Sequence, residues 1–159
     1  EYGNPGIILE TPEPLIRAKN EIFVFEDFIS ESHFYASNND KSLELFAINY
    51  STNNKIDPNN FQQILELSLD KLESYGLQNL LVKYDNFESN NGAKGLIISG
   101  DTDFLDEKKN IKKGSYKVIG FLSQTGFKKI IILNHDKRYV REIIERIVIY
   151  IELLKENKR

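Results

Sequence analysis

Two turn dipeptides constrain this chain more than any other feature. Asn91-Gly92 lies between the runs Leu77–Phe87 and Ala93–Phe104, and Thr125-Gly126 lies between Ser115–Gln124 and Phe127–Asn134. Asn-Gly is favoured where a type I′ turn demands positive φ at both central residues, so the first two runs are expected to form an antiparallel hairpin. The second pair, closed around a Gly, reads the same way. Upstream, His33–Ser37, the polar Asn38-Asn39-Asp40 and Leu43–Ser51 read as strand, turn and strand. In the last of these Leu43, Leu45, Ala47 and Asn49 alternate with Glu44, Phe46, Ile48 and Tyr50, so the sheet is expected to be covered on both faces.

Two segments carry helical periodicity. Asp57 can cap free amides, Pro58 suits the first helical position, and Phe61, Ile64, Leu65, Leu69 and Leu72 share one face, with Gly76 as the closing residue. The second begins at Asp136 and aligns Val140, Ile143, Ile144, Ile147, Val148, Ile151 and Leu154 in a stripe that must lie on the sheet. Arg138 with Glu142, Arg141 with Glu145 and Glu142 with Arg146 are spaced for i,i+4 pairs on its outer face, although Ile147–Leu153 alone would also suit a strand. The opening segment Glu1–Pro14, with Pro5, Pro12 and Pro14, cannot sustain a helix. Residues 1–20 are therefore assigned to an N-terminal arm and residues 21–159 to one domain, with Glu21–Glu26 as its first strand, the alternative being a helix entering from Pro14. A chain of 159 residues fits one domain, which commonly runs to about 100–150 residues.

The expected fold class is α+β: an antiparallel sheet of about six strands with two main helices packed on it. In this order the chain resembles the PsbP-like α+β sandwich, from about His33 to Leu154. The resemblance is carried by the helix Pro58–Tyr75, the strand Gly92–Ser99, the pair Tyr116–Phe121 and Phe127–Leu133, and the terminal Ile143–Leu153. It implies a non-enzymatic accessory or partner-binding subunit, exported or lipid-anchored in many bacterial members. No family site residues carry over to this chain, and the Trp that often marks the family's early strands is missing.

Composition narrows the chemistry. With no Cys there is no disulfide framework, thiolate metal site or Cys nucleophile. Lys and Arg number 21 against 24 Asp and Glu, so no excess of positive charge points to nucleic acid. The pairs Lys108-Lys109, Lys112-Lys113 and Lys128-Lys129 read as solvated loop and strand-edge lysines. Asn49-Tyr50-Ser51 matches a glycosylation acceptor by chance, inside a strand. The longest apolar stretch, Ile147–Ile151, is far below the ~20 residues of a membrane span, so the domain itself is expected to be soluble. Residue 1 is Glu and Met is absent, which a removed export signal would explain; the absence of Cys fits the same expectation of a periplasmic or extracellular protein of the cell envelope, with a cytoplasmic location as the alternative.

Candidate reactive groups are few. His33 and His135 lie too far apart in sequence for a local zinc motif, and Ser99, His135 and Asp136 form a triad only on paper because the nucleophile-elbow spacing is absent. Glycine spacing supports no nucleotide cradle. The one local anomaly is the acidic segment Asp101–Glu107, in which Asp101, Asp103 and Asp106 could supply oxygens to a hard cation, the alternative being a solvated acidic loop. Phe23, Phe25, Phe28, Phe34 and Tyr35 cluster early and read as core or as one wall of a partner groove. The expectation is a non-catalytic accessory protein with a protein partner and no cofactor. The alternative is an intracellular inhibitor of the toxin-immunity type.

Overall fold

The computed structural model describes residues 2–3, 6–8, 10–24, 28–37, 43–52, 57–74, 76–105, 108–123, 126–135, 141–149 and 151–153. Its main element is an antiparallel sheet with long strands. In chain order the elements are β1 (Tyr2–Gly3), β2 (Gly6–Ile8), β3 (Leu15–Val24), β4 (Phe28–Ser37), β5 (Leu43–Thr52), a short 3₁₀ turn (Pro58–Asn60), α1 (Phe61–Ser74), β6 (Leu77–Gln78), β7 (Lys83–Glu88), β8 (Lys94–Leu105), β9 (Ile111–Ser123), β10 (Gly126–Asn134), α2 (Arg141–Ile149) and β11 (Glu152–Leu153). The sheet runs β3-β4-β5-β10-β9-β8-β6, with β7 also paired to β8, and it curls into a half-barrel. A second, three-stranded sheet, β1-β2-β11, is hydrogen-bonded separately, with β1 near β4 and β5.

The expected α+β sandwich is thus overturned: the fold is mostly antiparallel β, with two short helices as attachments. Three local causes account for the difference. Leu15–Asn20, assigned to an arm, makes up the first six residues of a ten-residue edge strand. The second helix spans only Arg141–Ile149, because its β-branched content favours extended backbone and the chain turns after Ile149 to pair Leu153 with Ile7. Strand β9 begins at Ile111, four residues before the expected Ser115.

Both faces of the sheet are covered, as the alternation in Leu43–Ser51 requires. Leu43, Leu45 and Ala47 join Ile119, Ile130 and Ile132 under Ile144, Ile147 and Val148 of α2. On the opposite face Ile48, Val118, Ile131 and Leu133 pack with Leu65 and Leu72 of α1. Helix α1 starts as its sequence dictates, with the Asn59 N–H donating to Asp57 Oδ1 at 3.0 Å, and ends at Gly76, whose φ of +89° is open to a residue without Cβ.

The β7–β8 hairpin forms, but not through a type I′ turn. Gly92 has φ +87° while Asn91 stays at negative φ, and the Gly92 N–H donates to the Ser89 carbonyl at 3.0 Å. This is a three-residue loop, in which a type I turn is followed by a left-handed Gly. Ser89 selects it: the Ala93 N–H donates to Ser89 Oγ at 2.9 Å, and the Ser89 hydroxyl donates to Asn91 Oδ1 at 2.7 Å. The hairpin of β9 and β10 also forms, but Gly126 pairs with Ser123 as the first residue of β10 rather than standing in the turn, so the connection is centred one residue earlier than expected.

Candidate functional site

Strands β6 and β7 lie end to end along β8 as one interrupted edge. Leu77 and Gln78 pair with Phe104 and Asp103; Lys83–Glu88 pair with Ser99–Lys94; Asn79–Val82 bulges out between them. Asn79 takes φ +53°, a left-handed conformation that Asn tolerates better than most side chains. The bulge is then tied back at Leu81. Its N–H donates to the Asp101 carbonyl at 3.0 Å, and its carbonyl accepts the Tyr116 hydroxyl at 2.8 Å. Gly100 makes the approach possible, since a Cβ there would stand 1.9 Å from the Leu81 oxygen. Tyr116 is 1% exposed; burial, and secondarily Tyr84, pushes its phenol up to about 12.

Tying the backbone inward turns side chains outward. Leu81 is 65%, Val82 41% and Tyr84 46% exposed, forming an apolar rim on the sheet edge. Tyr84 lies on the α1 face, where burial, then the Glu66 charge and hydrogen bond, raise its phenol above the ordinary value.

Behind Leu81 and Val82, on the sheet face opposite to Tyr84, a cleft of about 790 Å³ opens between β7 and α2. Its floor follows the sheet register. Lys83, Ser99 and Lys117 form one cross-strand row, and Asp101, Ser115 and Asn134 form the next. Asp85 and Ile97 make a third row, while Ile144 and Glu145 of α2 supply the far wall. Asn134 is buried and donates from Nδ2 to Ser115 Oγ at 3.4 Å. The loop after β7 is bonded to the segment after α2, where the Asn90 N–H donates to the Ile151 carbonyl at 2.7 Å. The lining mixes two lysines with Asp85, Asp101 and Glu145, and neither histidine is among its described residues.

Asp101 and Asp103 share one face of β8, as their spacing predicts, and Asp106 lies outside the described residues. Asp103 already has partners: Lys113 Nζ donates to Oδ1 at 2.6 Å and Asn79 Nδ2 donates to Oδ2 at 3.0 Å. These bonds, Lys113 first, hold its carboxyl below the ordinary value. Asp103 thus braces the bulge at Asn79, while Asp101 lines the cleft and caps Leu81 through its carbonyl. Among the described residues no three His, Asp or Glu gather as a metal site.

The paper triad does not assemble. Ser99 faces the α2 side, whereas His135 packs at 4.1 Å against the ring of Phe104, which belongs to the α1 side; Asp136 lies outside the described residues. His135 Nε2 also lies against Glu44 Oε1, without the alignment of a hydrogen bond. His33, buried in β4, meets Glu31 Oε1 at 2.9 Å on the same strand face.

The early aromatic cluster divides between two faces. Tyr35 enters the core beneath α2, while Phe34 packs at 4.7 Å on Phe46, a residue of the α1 side. Phe25 and the side chains of Phe23 and Phe28 lie outside the described residues. Lys129 departs from the solvated-lysine reading: it is buried, with its ammonium 5.3 Å from the centre of the Tyr50 ring. Asn49, of the glycosylation match, lies in β5 between paired residues Glu31 and Lys128.

Sequence reasoning missed the rim and the cleft. The available signal was Leu80-Leu81-Val82, three apolar residues in succession, which breaks strand alternation just after Asn79. No family model, no curated protein and no solved structure matches the chain, so nothing in these comparisons bears on the PsbP-like resemblance. Among the described residues no helix is long and apolar enough to cross a membrane.

Proposed function

We propose that this chain is a partner-binding protein without chemistry of its own, and that it engages another protein through the rim Leu81, Val82 and Tyr84 and the cleft behind it. The observation that carries the reading is the exposure of these three neighbouring side chains on a sheet edge that two hydrogen bonds at Leu81 hold in place. Apolar and aromatic anchors beside a shaped depression are where binding energy concentrates at protein interfaces. The mixed charge of the lining suits a polypeptide better than a polyanion. A place in the cell envelope belongs to the same reading, and the absence of Cys fits it.

A photo-crosslinking residue at position 81 or 84, compared with one at exposed Ile111, tests this proposal in the native host. The expected result is one protein captured from both rim positions and not from position 111. Capture of the same set from all three positions would overturn it.

A further inference from the structure

Resting on that reading, we infer that the partner contributes an extended segment that adds antiparallel to β7, with the residue order apolar, any, basic, any, acidic. The hydrogen-bonding direction of β7 comes first. The Ser89 N–H donates inward to the Ala93 carbonyl at 2.8 Å, so the odd-numbered residues turn their backbone groups to β8 and Tyr84, Asn86 and Glu88 turn theirs outward. The next member of the outward row, Asn90, already takes a backbone partner, the Ile151 carbonyl at 2.7 Å. The edge is therefore built to accept a further chain, and one contact of that kind is in place at its end.

Asp85 gives the edge a removable guard. Its Oδ1 accepts the outward Asn86 N–H at 2.8 Å, which shields the donor in the absence of a partner. A carbonyl of an incoming strand would replace that oxygen and release the carboxylate for a basic side chain. Lys83, two residues away on the same face, would meet an acidic one, and Phe87 an apolar one. In an antiparallel strand the residues opposite Phe87, Asp85 and Lys83 occur in that order, which fixes the pattern. Antiparallel addition continues the pairing used throughout the sheet, and main-chain bonds would supply attraction while alternate side chains supply selectivity.

The test uses the whole protein, labelled with nitrogen-15, and two synthetic peptides: acetyl-Thr-Val-Thr-Lys-Thr-Glu-Thr-amide and its counterpart with Lys and Glu exchanged. The first should shift the amide signals of Tyr84, Asn86 and Glu88 and bind at least threefold more tightly than the second. The double variant Lys83→Asp with Asp85→Lys should reverse that preference, and its spectrum reports whether it is folded. In the parent protein, raising the salt concentration should shrink the difference between the peptides, an arm that needs no variant. Equal affinities, no binding, or shifts confined to other strands would overturn the inference. A partner still captured at positions 81 and 84 would then leave the wider reading standing, whereas loss of that capture would remove the wider reading itself.

Discussion

The Tyr116 hydroxyl, from the middle of β9, donates at 2.8 Å to the Leu81 carbonyl on the outermost edge of the sheet. This bond joins a buried core position to an exposed rim. It makes the presentation of Leu81 and Val82 a property of the fold rather than of a loose loop.

Replacing Tyr116 by Phe should therefore act at a distance. The loss of one largely buried hydrogen bond is expected to cost about 1–2 kcal/mol, with urea unfolding as the measurement. Amide exchange at Leu81 should accelerate at the same time, while exchange in β10 follows only the global loss of stability.

The same phenol gives the protein an alkaline limit. Its folded-state value of about 12 exceeds the ordinary 10, so the folded protein holds the proton more tightly than the unfolded chain. The resulting stability, on the order of 2–3 kcal/mol, is fully present below pH 10 and is lost as pH rises through 12. Unfolding free energies across that interval should fall steeply in the parent protein and less steeply in Tyr116→Phe.

Asp103 should act at the acid end. Its carboxyl is held below the ordinary value by Lys113 and then Asn79, so its contribution is present above the unfolded value and disappears as pH falls through the folded one. Asp103→Asn should flatten the acid side of the stability profile. Calcium calorimetry on the parent protein should give no heat beyond dilution, because Lys113 and Asn79 already occupy both carboxylate oxygens.

Gly100→Ala probes the close approach. The new methyl would stand 1.9 Å from the Leu81 oxygen and 2.7 Å from its carbonyl carbon, both backbone atoms with no rotamer to yield. A cost of about 1–3 kcal/mol is expected from thermal unfolding. In the α1 core, Leu65→Ala removes a side chain with no exposed surface and should cost about 2–5 kcal/mol. The two variants should differ in site of action: only Gly100→Ala alters exchange at Leu81 beyond its global effect.

Local signals in the sequence account for much of this architecture. Asp57, Pro58 and Gly76 mark α1 because caps act within a turn of the backbone, and the alternation from Leu43 to Tyr50 reveals two covered faces because both are buried. The edge strands were harder to read. In β3 the polar Arg17, Lys19 and Asn20 interrupt the apolar run, and an edge exposed to water need not display a burial pattern. The early end of α2 depends on pairing with β2, at the other end of the chain. At the candidate site the acidic pair Asp101 and Asp103 was visible, but its use was not. That depends on Asn79, whose left-handed backbone brings it to Asp103 across the edge, and on Lys113 from the neighbouring strand. The cleft lies between β7 and α2, elements far apart in sequence, a relationship that no local spacing encodes.

The most direct measurement is the affinity of the protein captured at positions 81 and 84 for the parent chain and for Leu81→Glu, by calorimetry at fixed salt. Leu81 is mostly exposed, so the substitution should leave the melting temperature nearly unchanged. An anchor at the centre of an interface is expected to contribute about 2 kcal/mol, so the account predicts affinity lowered roughly thirtyfold. An unchanged affinity in a folded variant would contradict it.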